Sequence, residues 1–185
     1  MRLFIAIELP DEIKQGIAGI QEQLRKAGAI AGWTRPEGIH LTLKFLGEVP
    51  EAKAQEIMQA LDAAVKGTGK LSLTVEGTGM FPNVKNPHVL WIGVGGDIER
   101  LAGLQASIED AMDKVGFERE ERKFSPHLTL ARIKFPKPRD NWQQKIVGMK
   151  DVKLGGFEAG HVSLMKSELK REGAVYTEVG RADLH

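Results

Sequence analysis

One tetrapeptide occurs twice in this chain of 185 residues, and it constrains the fold more than any other feature. His-Leu-Thr-Leu stands at residues 40–43 and again at 127–130, 87 residues further on. The flanks follow the same plan, since Asp11 lies 29 residues before the first histidine and Asp97 lies 30 residues before the second. A repeat of this kind is typical of an internal duplication. We therefore predict two similar halves.

The apolar residues predict a similar order of elements in each half. The first half should form strands over 2–9, 39–46 and 71–75, one helix from Asp11 to just before Gly28, and another from Pro50. The second half should form strands over 88–94, 126–133, 162–164 and 175–179, a helix capped by Asp97, and a short helix over 139–149. Apolar residues three and four positions apart give each long helix one buried face.

This order of elements predicts an α+β fold. Strands that alternate with helices normally indicate a parallel sheet, but the halves here are short. A β-α-β-α-β unit repeated twice fits two small, mainly antiparallel sheets better, with the helices outside and a cleft between the sheets. We predict a single bilobal domain over 1–185, with the two halves related by a pseudo-twofold axis.

The repeated tetrapeptide places two polar side chains on one face of each strand. Side chains alternate along a strand, so His40 and Thr42 point one way and their leucines point the other way. His127 and Thr129 follow the same pattern. If both pairs line one cleft, one imidazole removes a proton from a nucleophile and the other protonates a leaving oxygen. Threonine hydroxyls can donate hydrogen bonds to phosphate oxygens.

Composition excludes several classes of protein. There is no cysteine, which removes disulfides and thiol catalysis, and the formal net charge is only +1. An anionic partner must therefore be held locally, for which the basic stretch 122–139 is the best candidate. We find no His, Asp or Glu cluster with ligand spacing and no dinucleotide fingerprint, so we expect no metal and no cofactor. No apolar run is long enough to span a membrane, and we expect a cytoplasmic protein.

The two tetrapeptides resemble the paired His-x-Thr-x motifs of the 2H phosphoesterase superfamily. More narrowly, the chain is similar to the RNA 2′,3′-cyclic phosphodiesterases, also called the 2′–5′ RNA ligase family. The similarity extends over nearly the whole chain and includes Arg-Leu-Phe-Ile-Ala at 2–6, Trp-Thr-Arg-Pro-Glu at 33–37, Leu-Lys-Phe-Leu-Gly at 43–47 and Phe-Ser-Pro at 124–126.

The resemblance implies a bilobal fold and the opening of a terminal RNA 2′,3′-cyclic phosphate to a 2′-phosphate, without a metal. It implies His40 as the acid that protonates the leaving 3′-oxygen and His127 as the base that activates water. It also implies RNA with cyclic phosphate ends as the partner, including tRNA halves that are joined through 2′–5′ bonds. We expect a monomer.

Two further residues are candidates for substrate binding. Arg132 matches a family arginine that would contact phosphate or RNA, but five residues after His127 it should lie on the opposite face of a regular strand. Either the strand twists or bulges before Arg132, or the residue lies at the strand end and reaches round. Phe45, like Trp33, could stack on a terminal base or could belong to the core.

Two other functions stay open at this stage. The chain could be a phosphodiesterase that acts on a 2′–5′ oligonucleotide or on a small cyclic phosphate. It could also be a non-catalytic protein that binds RNA ends. Binding alone would not require a histidine and a threonine in both motifs, so we favour the enzyme.

Overall fold

The computed structural model describes residues 1–29, 31–83, 86–134 and 141–185. The strands are β1 (Arg2–Glu8), β2 (Ala31–Trp33), β3 (His40–Glu48), β4 (Leu71–Phe81), β5 (Val89–Gly96), β6 (His127–Ile133), β7 (Lys153–Ala159), β8 (His161–Lys170) and β9 (Gly173–Asp183). The helices are α1 (Asp11–Lys26), α2 (Ala54–Val65), α3 (Ile98–Lys114) and α4 (Asn141–Gly148). None of the helices in these ranges is long and apolar enough to cross a bilayer.

The strands form two sheets, and every described strand pair is antiparallel. The first sheet has the order β3-β1-β8-β9, and the second has the order β2-β6-β5-β4-β7. Each of the repeated tetrapeptides therefore begins a strand of a different sheet. β3 is an edge strand, and β2 covers only the second half of β6, at 131–133. The Cα atoms of β3 and β6 approach within 8 Å of each other.

Each sheet takes elements from both halves of the sequence. The first sheet combines β1 and β3 with β8 and β9, and the second combines β2 and β4 with β5, β6 and β7. The helices are exchanged in the same way, because α3 contacts β3 in the first sheet while α1 contacts β7 in the second. The two halves are thus interleaved, and one apolar core extends through both of them.

The core lies between the helices and the outer face of each sheet. In β1, Leu3, Ile5 and Ile7 join this core, whereas Phe4 and Ala6 form a small separate cluster on the opposite face. The tetrapeptide leucines of β3 and β6 are buried on the helix side as well. This alternation leaves the histidines and threonines on the faces that line the cleft. The predicted α+β class with two antiparallel sheets is confirmed.

The predicted elements differ from the structure mainly at their ends. The strands predicted over 71–75, 162–164 and 175–179 are longer, at 71–81, 161–170 and 173–183. The second helix begins at Ala54 and not at Pro50, because 51–53 form a 3₁₀ turn. β2 and β7 were not predicted. The helix predicted over 139–149 is observed over 141–148, and residues 139–140 lie outside the described ranges.

The two aspartates predicted to begin the long helices do not cap them through their side chains. Pro10 precedes α1, so Asp11 lies within its first turn, where a negative charge is favourable. Asp97 does stand at the N-cap of α3, but its carboxylate accepts a hydrogen bond from the backbone N–H of Ser72 and pairs with Arg100. Asp97 therefore ties the start of α3 to the neighbouring strand β4.

Candidate active site

The two motif histidines have the same main-chain environment. Nδ1 of His40 lies 2.9 Å from the carbonyl oxygen of Gly38, and Nδ1 of His127 lies 2.6 Å from that of Ser125. A carbonyl oxygen can only accept, so each Nδ1 carries the hydrogen. Nε2 of each imidazole is then the nitrogen that exchanges a proton in the cleft. Both rings are half-buried.

Each imidazole is held between aromatic rings of its own sheet. Edge contacts place Phe4 and Tyr176 at 5.6 and 5.1 Å from His40, between ring centroids. Phe81 lies 5.1 Å from His127 with its plane nearly perpendicular, and Trp91 lies 6.5 Å away. These contacts restrict rotation of the imidazoles.

The charge state of His40 is set mainly by its burial. Burial lowers the pKa of His40 below 6.5, and the ammonium group of Lys14 lowers it further. The hydrogen bond to Gly38 and the carboxylate of Glu8, which lies opposite His40 in β1, act in the other direction without cancelling the shift. His40 is therefore mainly neutral at pH 7, and a bound anion would favour its protonated form.

Each motif threonine lies two residues after its histidine, on the same face of the strand. Thr42 is paired with Ala6 of β1, and Thr129 is paired with Trp91 of β5. Neither hydroxyl makes a hydrogen bond to any residue that the structure describes. Two free hydroxyl donors, one from each sheet, thus accompany the two imidazoles.

Both motif strands contain a β-bulge at the same position. The pairing of β3 with β1 skips Leu43, and the pairing of β6 with β5 skips Leu130. An extra residue reverses the alternation of side chains, so a residue five positions after the histidine returns to the histidine's face. Phe45 and Arg132 occupy these equivalent positions. The bulge that we considered before Arg132 is therefore present, although the role of Arg132 stays a prediction.

Phe45 is not part of the core. Its side chain is 74% exposed, and its ring lies 6.2 Å from that of Phe4, which also contacts His40. Trp33 differs, because it is partly buried against the core and carries the guanidinium of Arg25 4.8 Å from its ring centroid. Phe45 is thus an exposed aromatic side chain on the face of β3 that carries His40, and its stacking on a base stays a prediction.

A glutamine supports each bulge from a helix, and it is fully buried at β6 and half-buried at β3. Gln21 of α1 donates to the carbonyl oxygens of Leu130 at 3.0 Å and Thr34 at 2.7 Å. Gln105 of α3 donates to that of Leu43 at 3.3 Å. Neither glutamine was predicted from the sequence. A signal was available, because Gln21 interrupts the apolar face of α1 between Ile20 and Leu24.

A buried ion pair adds to the support of β3. Nζ of Lys44, the residue after the bulge, lies 2.9 Å from the carboxylate of Glu109 and donates to the carbonyl of Glu118 at 2.8 Å. The Lys44 side chain is 3% exposed. Gln105 also donates to the Glu109 carboxylate. The second motif strand has Ala131 at this position and no charge.

The basic stretch 122–139 is only partly described. Arg122 pairs with Glu120, whose pKa this contact lowers to about 2, and both are exposed. Arg132 lies on the cleft face, while Lys137 and Arg139 lie outside the described residues. The described part of the stretch therefore gives the cleft one arginine and no continuous basic patch.

The structure brings together three side chains of metal-ligand types whose spacing in the sequence does not predict a cluster. Glu8, His161 and Glu178 come from three strands of the first sheet, and their ligand atoms lie within 4.8 Å of one another. The Glu178 carboxylate already accepts a hydrogen bond from Ser163 and pairs with Arg181. Glu8 is also the residue of β1 that pairs with His40. We assign this cluster no role.

Two antiparallel sheets that each present one His-x-Thr strand to a shared cleft define the 2H class of phosphoesterases. The family model described as "LigT like Phosphoesterase" matches this chain over residues 7–91 and again over 92–176. The chain belongs to this family, and the protein is an enzyme of the phosphoesterase class. The resemblance inferred from the sequence is confirmed.

Curated relatives point to a narrower group. An RNA 2′,3′-cyclic phosphodiesterase of Methanothermobacter thermautotrophicus is 35% identical over 97% of this chain and 96% of its own length. The protein of that name from Methanocaldococcus jannaschii is 38% identical over 95% of this chain and 96% of its own.

Solved structures share the fold over their full length. A Thermus thermophilus protein superposes with a TM-score of 0.77 at 30% identity, covering all of this chain and 98% of its own. Escherichia coli LigT complexed with 3′-AMP superposes with a TM-score of 0.76 at 26% identity, covering 99% of this chain and 97% of its own.

Proposed function

We propose that this enzyme hydrolyses the 2′,3′-cyclic phosphate at an RNA end to a 2′-phosphate, without a metal ion. The observation that carries the proposal is the matched pair of imidazoles on β3 and β6, whose Cα atoms approach within 8 Å of each other. Each imidazole has Nδ1 hydrogen-bonded to a carbonyl and an Nε2 that makes no hydrogen bond with the described residues. The names of the full-length relatives support RNA with a cyclic phosphate end as the substrate.

The reaction needs one proton acceptor and one proton donor on opposite sides of phosphorus. Nε2 of His127 takes a proton from water, and the water oxygen attacks phosphorus. The bond from phosphorus to the 3′-oxygen breaks, and the protonated Nε2 of His40 gives its proton to that oxygen. Both transfers are made by imidazoles, so no metal-bound hydroxide is required. The anionic substrate favours the protonated form of His40, which burial alone disfavours.

The remaining cleft residues bind and orient the substrate in this proposal. Thr42 and Thr129 donate to the non-bridging phosphate oxygens, where charge develops as the new bond forms. Arg132 adds a charge-assisted contact to the phosphate or to the adjoining strand. Phe45, at the equivalent place on the other strand, stacks on the terminal base.

The same groups could join RNA ends. If a 5′-hydroxyl replaces water, the same acid and base form a 2′–5′ phosphodiester and release the 3′-hydroxyl. Ligation of tRNA halves is therefore a second activity of one site and needs no further residue. Its yield depends on how well the second RNA competes with water.

The test is an RNA oligonucleotide ending in a 2′,3′-cyclic phosphate, incubated with the pure enzyme in EDTA. We expect a 2′-phosphate, identified by its resistance to a 3′-specific phosphatase. A 3′-phosphate would reverse the leaving oxygen and the two histidine roles. Loss of activity in EDTA, restored by a divalent cation, would refute metal independence. Tight binding without product would indicate a non-catalytic RNA-end binder, and turnover only of other cyclic phosphates or 2′–5′ linkages would change the substrate.

A further inference from the structure

We infer that a second pocket, beside His40, binds the base of the nucleotide that precedes the cyclic phosphate nucleotide in the RNA. This inference rests on the proposed function. The pocket has a volume of about 330 Å³ and lies where the segment before β3 meets the turn between β8 and β9. Its walls include Trp33, Arg35, Gly38, Glu172, Gly173 and Tyr176.

The pocket is continuous with the catalytic centre through two of its residues. The ring of Tyr176 contacts His40, and the carbonyl of Gly38 accepts the hydrogen of His40 Nδ1. A Cβ atom on Gly38 would lie 2.6 Å from the Tyr176 ring, so glycine is needed for this close approach. Trp33 belongs to β2, which pairs with the segment of β6 that carries Arg132. The pocket therefore spans the two sheets beside the cleft.

The chemistry of the walls fits a nucleobase. A volume of this size is at the small end of ligand sites and suits a single base with its sugar. Trp33 and Tyr176 supply aromatic surface, and bases of single-stranded RNA are bound by stacking on such rings or on arginine planes. Arg35 and Glu172 balance each other's charge, which disfavours a site for several phosphates.

Arg35 is the group that would contact the linking phosphate. Its guanidinium makes no ion pair or hydrogen bond with the described part of the chain, and it lies over Gly173. A Cβ atom on Gly173 would lie 3.3 Å from the guanidinium carbon, and the positive φ of 122° there also favours glycine. The turn thus holds a free guanidinium at the pocket, close to where the RNA backbone would leave the cleft.

The test compares adenosine 2′,3′-cyclic phosphate with the dinucleotide CpA 2′,3′-cyclic phosphate. We expect the added cytidine to raise kcat/KM of the dinucleotide roughly 10-fold or more above that of the mononucleotide, as stacking of one base does. Arg35→Gln should remove most of this ratio, and so should Trp33→Ala if it folds. Arg171→Gln, an exposed charge on the same turn, should leave the ratio unchanged. A dinucleotide whose 5′ nucleotide lacks its base should keep only the part of the gain that the linking phosphate provides, and Arg35→Gln should remove that remainder.

Other outcomes would separate the two proposals. Equal kcat/KM for both substrates, or an unchanged ratio in Arg35→Gln, would refute the second pocket and leave the hydrolysis intact. If neither substrate is hydrolysed, the proposed function fails. Calorimetry with the two 2′-phosphate products then decides on the pocket, since the dinucleotide should bind more tightly and lose that advantage in Arg35→Gln.

Discussion

Gln21 is fully buried in α1 and satisfies two main-chain carbonyls at once, so its replacement by leucine tests how the β6 bulge is held. Leucine removes this donor from both carbonyls, but the carbonyl of Leu130 still accepts a hydrogen bond from the backbone N–H of Thr34 at 3.1 Å. An unsatisfied buried group costs about 1–3 kcal/mol. Only the carbonyl of Thr34 is left without a partner among the described residues, and burying the apolar leucine side chain offsets part of that cost. We therefore expect the free energy of unfolding, measured with urea, to fall by about 1–2 kcal/mol.

The same substitution should lower activity in protein that is still folded. If the bulge relaxes, Arg132 leaves the face of His127, and an error of 1 Å in such a contact can cost about 100-fold. We expect kcat/KM for a cyclic phosphate RNA to fall by roughly 10- to 100-fold at temperatures well below unfolding. Gln23→Leu, which changes an exposed residue of the same helix, is the matched control and should alter neither quantity.

A double-mutant cycle shows whether the effect passes through Arg132. In an Arg132→Ala background, Gln21→Leu should cost little further activity, because the side chain that it displaces is already gone. Additive losses in kcat/KM would contradict the reasoning. So would a stability loss of the expected size with full activity, since the bulge would then not depend on Gln21.

Three other substitutions have defined outcomes. His40→Ala and His127→Ala should each lower kcat by about 10²–10⁴-fold in a cyclic phosphate assay, whereas a similar loss in the exposed His88→Ala would indicate instability and not chemistry. Lys14→Gln should raise the pKa of His40, measured by NMR, because it removes a positive charge that lowers this pKa. One limb of the pH–rate profile should therefore move to higher pH. A profile in which neither limb moves would count against the two-histidine mechanism. Lys44→Met should cost about 3–5 kcal/mol by leaving a buried carboxylate unpaired, and adding Glu109→Leu should recover much of it in urea unfolding, a result that a purely steric role for Lys44 would not give.

The local sequence predicts the motif strands well, because alternation of leucine with polar residues is a short-range pattern. It could not predict β2 and β7, where Gly32, Gly155 and Gly156 weaken the strand pattern. The sequence also could not decide between a bulge before Arg132 and a strand that ends at Arg132, because the same residues fit both explanations. They become evident only from the pairing with β1 and β5.

Long-range placement accounts for the rest of the site. Tyr176 reaches His40 through the curl of the first sheet, from a strand near the other end of the chain. No spacing in the sequence predicts the contact between Tyr176 and His40. Gln21 differs in this respect, because an amide that interrupts the apolar face of a helix is visible in the sequence. The carbonyl that this amide contacts is not visible in the sequence, and that contact determines what the residue does.

In our proposal, the two repeats are most similar at the residues that transfer protons and least similar at the residues that contact the asymmetric substrate. Both halves repeat the imidazole with its carbonyl, the free hydroxyl, the bulge and a glutamine that supports it. They differ immediately after the bulge, where one strand has Lys44 and Phe45 and the other has Ala131 and Arg132. A cyclic phosphate nucleotide offers a base on one side and a charged backbone on the other. An aromatic ring at one bulge and a guanidinium at the other match those two ends, so in our proposal the divergence of the repeats sets the orientation of the substrate, and with it which histidine meets the leaving oxygen.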